Sequence, residues 1–298
     1  MGPESMGPDF MGLSLTPPLG GGGVLGSFVT TTLGTLDQRL RQKEMAATLG
    51  RMGKKYLVLS GKGGVGKTTL AANLAWLKAQ AGFRVGLLDI DLHGPDLAKA
   101  LYLEGVKITA DDRGHLVPMK ARENLWVLSV QNLLGRGEEA VMWRGPRKMR
   151  AIIQFVGETA WPELDYFFID SPPGTGDESL TVIKNVPDLR ALVVSTGHPM
   201  ALSDVAKALD CLKTTGTEVF GLIDNFSSLI CPECGKETPL YGREGTKELA
   251  ARWGTDFLGW LPMDPRAVQR ADEIGRPLCE AAPDSPLTRG LRELADRL

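Results

Sequence analysis

Gly61-Lys62-Gly63-Gly64-Val65-Gly66-Lys67-Thr68 fits the pattern G-x-x-x-x-G-K-S/T. Its glycines let the backbone wrap closely and turn N–H groups inward, which makes an anion nest at the start of a helix. Lys67 is placed to reach the β- and γ-phosphates of a nucleoside triphosphate, and the Thr68 hydroxyl to bind Mg²⁺. The run through Thr69 therefore points to ATP or GTP held with Mg²⁺. Lys62 is a second lysine inside the loop. One lysine already serves the phosphates in cis, so Lys62 is either a solvated lysine or one that reaches a neighbouring subunit's nucleotide across a dimer.

Acidic groups close two apolar runs. Asp89-Ile90-Asp91 ends Val85–Asp89, and Asp170 ends Tyr166–Asp170 ahead of Ser171-Pro172-Pro173-Gly174-Thr175-Gly176. In an open parallel sheet, ligands sit beyond the carboxyl ends of the strands. Asp170 then reads as the carboxylate on the Mg²⁺ side, and Asp91 as a residue that could orient the attacking water. Asp89 could face the Thr68 side of the metal. An Asp at a strand end can also serve only as a cap or turn former.

Cys231-Pro232-Glu233-Cys234-Gly235 is the third constellation. A C-P-x-C-G turn sets two thiolates on one side, but structural Zn²⁺ and a 4Fe–4S cluster both want four ligands. Cys211 and Cys279 belong to no second C-x-x-C, and His93, His115 and His198 have no ligand-like spacing. The chain supplies half a site, which two facing chains would complete as Cys₄. A redox pair, and a zinc knuckle borrowing ligands from elsewhere in the chain, remain open readings of the same pattern.

These groups need a scaffold. Apolar runs at Tyr56–Ser60, Val85–Asp89, Leu125–Val130, Tyr166–Asp170, Ala191–Ser195, Val219–Asp224 and Phe257–Leu261 mostly lack alternation. That is expected of strands covered on both faces. Helical patterns lie between them at Lys67–Ala81, Pro146–Glu158, Ala201–Thr214 and near Arg243–Trp253. The alternation predicts an α/β fold, doubly wound, with a mainly parallel sheet and helices on both faces. One domain is expected over residues 37–298, opening on a helix at Asp37–Met52. Residues 1–36, with nine glycines and four prolines, are expected to be a disordered tail.

Composition narrows the function classes. A net charge of -2 gives no general electrostatic reason to expect nucleic acid or an anionic membrane as partner. No apolar run approaches the roughly 18 to 20 residues of a membrane span. The N-terminus lacks the basic and apolar regions of a signal peptide. Four cysteines in 298 residues are no disulfide framework. A cytoplasmic location is expected.

Together these segments resemble the Mrp-type iron–sulfur carrier ATPases, within the deviant Walker-A group that includes MinD, ParA and nitrogenase iron protein. The resemblance runs from about Lys54 to the C-terminus. It rests on Ser60–Thr69, Asp89–Pro95, Trp143-Arg144-Gly145-Pro146, Leu164–Glu178, Asn225-Phe226-Ser227 leading into Cys231–Gly235, Leu258–Pro265 and Asp272–Pro277. It implies that Lys62 is the signature lysine, Asp91 the water-orienting residue and Asn225 an adenine contact. It also implies that Cys231 and Cys234 hold a 4Fe–4S cluster bridged across a homodimer, handed on to apo iron–sulfur proteins under control of ATP. The chain departs from the family pattern at Asp96, where serine is usual, and at Gln131-Asn132, where an apolar segment is usual. The tail carries no cysteine for a second cluster.

Two other function classes fit the sequence less well. A MinD- or ParA-like positioning ATPase would not explain the paired cysteines, and Leu287–Leu298 is not the strongly basic amphipathic helix of a membrane anchor. An ATP-coupled electron-transfer reductase resembling nitrogenase iron protein would draw its cluster ligands from well-separated segments rather than one knuckle.

Overall fold

Alternate residues of the strand that leads into the glycine loop enter opposite cores. Tyr56 and Val58 pack on one side of the sheet, and Leu57 and Leu59 on the other. All four are fully buried, which is why the run shows no polar alternation. The structure is a computed structural model and describes residues 42–132 and 145–298. The expected tail, the first part of the helix at Asp37–Met52, and Trp143 and Arg144 lie outside the described residues.

In chain order the elements are α1 (residues 42–50), β1 (Met52–Ser60), α2 (Lys67–Gln80), β2 (Val85–Asp89), α3 (Leu97–Ala100), β3 (Thr109–Ala110), β4 (Leu116–Val117), β5 (Met119–Arg122) and β6 (Leu125–Leu128). There follow α4 (Gly145–Gly157), β7 (Leu164–Asp170), α5 (Asp177–Asn185), β8 (Leu189–Ser195), α6 (Pro199–Thr214), β9 (Glu218–Ile230) and β10 (Glu237–Pro239). The chain continues through α7 (Gly245–Trp253), β11 (Phe257–Met263), α8 (Pro265–Ile274), α9 (Leu278–Ala281) and α10 (Pro286–Arg297).

Nine strands form the main sheet in the order β10-β9-β8-β1-β7-β2-β6-β5, with β11 also on β9. Within this sheet β1, β2, β6, β7, β8, β9 and β11 pair in parallel, and among the described residues only β5 and β10 join it antiparallel. Helices α2, α3 and α8 to α10 pack on one face, and α1 and α4 to α7 on the other. The expected doubly wound, mainly parallel α/β fold is the one observed. β1 is central, so the loop that leaves it lies among the strand ends that bear Asp89 and Asp170.

Several boundaries differ from the sequence reading, those of β1 and β9 by the most. β1 starts at Met52, so α1 stops at Gly50 rather than Met52. β9 does not end at Asp224 but runs on to Ile230. Asp224, Asn225, Ser227 and Ser228 read as a polar strand end, yet all four are buried. Their polarity is absorbed locally for three of them. Asn225 Nδ2 donates to the Val65 carbonyl (2.8 Å), Ser227 Oγ to the Leu261 carbonyl (3.2 Å), and Ser228 Oγ to Glu237 Oε1 (2.7 Å). The backbone of the extension is paired by β11 and β10. Among the described residues, no helix is long and apolar enough to cross a membrane.

Candidate nucleotide site and cysteine knuckle

The loop from Gly61 to Gly66 is held by close approach. A Cβ at Gly61 would lie 2.6 Å from the Asp204 backbone in α6, and one at Gly66 would lie 2.3 Å from Asn225 Nδ2. Gly66 also sits at φ 83°, in the left-handed region that glycine adopts without strain. It caps α2, a 14-residue helix with no side-chain cap and no acidic residue in its first turn. The first N–H groups and the positive end of the helix dipole are thus available to an anion.

Lys67 and Thr68 converge on one carboxylate. Lys67 Nζ lies 2.9 Å from Asp170 Oδ1, and Thr68 Oγ1 donates to Asp170 Oδ2 at 2.6 Å. Asp170 is 1% exposed and Lys67 8%. Burial pushes the Asp170 carboxyl up, while the Lys67 ammonium and the Thr68 hydroxyl pull it back. Its neighbour across the β2–β7 pairing, Asp89, is pushed further up by burial and by the Asp170 charge. Of the two, Asp170 is the one with a cation beside it, the Lys67 ammonium. Thr68 and Asp170 are an all-oxygen donor pair of the kind Mg²⁺ prefers, and these are the residues that could hold it.

Asp89 is occupied elsewhere. Its oxygens accept from the Asp91 N–H (2.9 Å), the Ser129 hydroxyl (3.0 Å) and the Leu97 N–H (3.4 Å), so it organises the loop after β2. Asp91 lines a groove of about 640 Å³ that it shares with the Gly61–Thr69 loop. Its Oδ1 accepts from the N–H groups of His93 (3.3 Å) and Gly94 (3.1 Å), which fixes its direction.

Asn225, implied to be an adenine contact, sits beneath the loop and braces Val65 and Gly66. The adjacent Phe226, at φ 55°, lines the groove instead, with Tyr102 and Asp272 hydrogen-bonded to each other (2.9 Å) further along. Phe226 and Asp272 fall in segments that carry the family resemblance, but neither residue type points to a groove wall, and Tyr102 carries no signal in the sequence. Lys62 lies 3.3 Å from Asp204 Oδ2 and is 36% exposed, so in a single chain its ammonium is paired with α6.

The cysteines occupy the turn between β9 and β10. The Cys231 N–H donates to the Lys236 carbonyl and the Gly235 N–H to the Cys231 carbonyl, both at 2.9 Å. Gly235, at φ 72°, closes the turn. The N–H groups of Cys234 and Glu233 point at the Cys231 sulfur, and with Arg266 nearby they hold its thiol below the usual range. Both thiols are free, Cys234 exposed and Cys231 half-buried. Among the described residues no group of three or more His, Cys, Asp or Glu side chains is placed to hold a metal ion. Cys279 is buried, its thiol pushed up to about 12 by burial, and its N–H donates to Asn73 Oδ1. Both the nucleotide loop and the knuckle rest on β9. Asn225 and Cys231 lie six positions apart, at most about 20 Å along an extended strand.

The chain is similar to known proteins in sequence and fold. The family description "NUBPL iron-transfer P-loop NTPase", in the ParA group, matches residues 51–298. An iron-sulfur cluster carrier protein of Saccharolobus solfataricus is 37% identical over 267 residues, covering 88% of this chain and 89% of that one. The cytosolic Fe-S cluster assembly factor NUBP2 of Homo sapiens is 41% identical over 246 residues, covering 81% and 90%. Among solved structures, a nucleotide-binding protein in complex with ADP from Archaeoglobus fulgidus superposes with a TM-score of 0.68 at 34% identity, covering 80% of this chain and 92% of that one. The cell division ATPase MinD of Pyrococcus furiosus, at 24% identity and a TM-score of 0.61, shares the fold. With a match over residues 51–298 and relatives of this similarity along most of its length, the chain belongs to the NUBPL iron-transfer P-loop NTPase family.

Proposed function

We propose that this protein is an ATP-dependent iron–sulfur cluster carrier: two copies hold one labile 4Fe–4S cluster between them and pass it to apo-proteins. The observation that carries the reading is the knuckle. Two free thiols share one turn, one of them stabilised as thiolate by backbone N–H groups, and the described part of the chain offers no further ligand. A cluster with four thiolate ligands is then satisfied by two chains. An exposed turn suits cargo that must leave again. The names of the relatives, iron-sulfur cluster carrier and Fe-S cluster assembly factor, support the same reading.

In the nucleotide site, Lys67 and the N-terminus of α2 bind the phosphates of ATP, and Thr68 and Asp170 hold the Mg²⁺ that accompanies it. Asp91 orients the water that attacks the γ-phosphate. Lys62 leaves Asp204 to reach the partner's nucleotide, which ties hydrolysis to the dimer. Asn225 serves the nucleotide by holding the loop at Val65 and Gly66. Reduced thiols suit the cytoplasm, where we place the protein.

Iron and sulfide are measured after anaerobic reconstitution. About four of each per dimer is expected, as Cys₄ ligation requires. Cys231→Ala or Cys234→Ala abolishes the iron and leaves ATP binding intact, whereas Cys211→Ala and Cys279→Ala do not remove the iron. One zinc per chain with no sulfide would refute the carrier reading.

A further inference from the structure

Water oriented by Asp91 can attack the γ-phosphate only if the loop after β2 keeps a fixed distance from the end of β7, which carries Asp170. One side chain outside both motifs bridges the loop after β2 to the helix that follows β7. Lys148, in the first turn of α4, has its Nζ 2.6 Å from Glu178 Oε1 and 2.8 Å from His93 Nε2. Glu178 lies in the first turn of α5, which begins immediately after the Pro172–Gly176 loop behind Asp170. His93 lies in the loop after β2, and its N–H donates to Asp91 Oδ1.

The chemistry of the contact is defined. An ammonium has donors only, so Lys148 Nζ donates to both the Glu178 carboxylate and His93 Nε2. Lys148 and Glu178 are 15% and 9% exposed, shielded enough that the pair is less screened than a surface ion pair. Burial alone would raise the Glu178 carboxyl, but Lys148 together with a backbone N–H outweighs it and the group is held below its usual range.

We infer that Lys148 is a positioning residue for ATP hydrolysis, clamping the Asp91 loop through His93 to the start of α5 through Glu178. The inference rests on the reading of Asp91 and Asp170 given above. An ion pair that merely joins α4 to α5 would need Glu178 alone. The second arm, to an exposed histidine two residues from Asp91, adds nothing to that packing and acts on the loop that holds the water.

The test is steady-state hydrolysis of MgATP by the full chain and by Lys148→Met, Lys148→Arg, His93→Ala and the Lys148→Met/His93→Ala double variant, with melting temperatures alongside. Lys148→Met and His93→Ala should each lower kcat roughly 10- to 100-fold, the upper end being the cost of a reacting group misplaced by about 1 Å, with KM within about twofold of wild type. The double variant should be no slower than the slower single one, because both break the same clamp. Lys148→Arg should recover part of the loss, and His93→Ala should melt with the wild type. Unchanged kcat in a folded His93→Ala variant overturns the clamp, and so does a double variant whose losses multiply. If Lys148→Met does not fold, His93→Ala alone decides. A wild-type chain that binds MgATP without turning it over refutes the hydrolysis reading and this role with it. Normal wild-type turnover with both variants unaffected refutes the clamp only.

Discussion

Replacing Lys67 with methionine keeps the aliphatic stem and removes the ammonium. Asp170 then retains a single partner, the Thr68 hydroxyl at 2.6 Å, while it is 1% exposed. Removing one member of a buried ion pair typically costs about 3–5 kcal/mol, because the other charge stays desolvated without compensation. Lys67→Met should therefore destabilise the nucleotide-free chain by about that amount. Asp170→Asn costs less, since the Lys67 ammonium can turn towards the groove it lines. The Lys67→Met/Asp170→Asn variant removes both charges, so it should be more stable than Lys67→Met alone, with a coupling energy of about 2–3 kcal/mol. Urea denaturation of the four proteins measures the cycle. Binding separates from folding in the same set. Both variants lacking Lys67 lose a charge-assisted phosphate contact and should bind MgATP roughly 10- to 150-fold more weakly, the equivalent of about 1.5–3 kcal/mol. A coupling energy below about 0.5 kcal/mol would show that Lys67 and Asp170 are not mutual counter-charges. Recovery of MgATP binding in the double variant would refute the phosphate role of Lys67.

The remaining predictions concern β9 and the second lysine. Burial pushes Asp224 from its ordinary 3.8 up to about 6. A raised carboxyl contributes stability fully below its unfolded value and loses it as pH rises through about 6, so Asp224→Asn should gain on the wild type as pH rises. The gap should widen by about 1–2 kcal/mol between about pH 5 and about pH 8 in chemical denaturation, and a gap independent of pH would refute the assignment. Asp204 pairs with both Lys62 (3.3 Å) and Lys207 (2.9 Å). Asp204→Ala should free Lys62 and raise ATP hydrolysis, by no more than about 5-fold because exposed pairs are weak, and Lys62→Ala should cancel the gain. Slower hydrolysis in a folded Asp204→Ala variant would refute the cross-subunit role of Lys62.

Sequence alone determined what local chemistry dictates. The Gly61–Thr68 loop is legible because its glycines, lysine and threonine act within one turn of backbone. The strands Tyr56–Ser60, Val85–Asp89 and Tyr166–Asp170 are legible because burial on both faces leaves an unbroken apolar run. The two-thiol arithmetic of Cys231 and Cys234 needs only a count of donors. Tertiary structure decided which distant groups meet. Asn225 reaches Val65 across 160 positions and Thr68 reaches Asp170 across 102. Lys148 joins His93 to Glu178 over 55 and 30 positions. These meetings follow from strand order, with β7 inserted between β1 and β2 and β8 on the other side of β1, which no local pattern encodes. The length of β9 was hidden for a related reason. Its polar second half is stable as a strand only because β10 and β11 pair its backbone and because Val65, Leu261 and Glu237 accept from its side chains. A polar strand end and a satisfied buried strand read alike until their partners are in place.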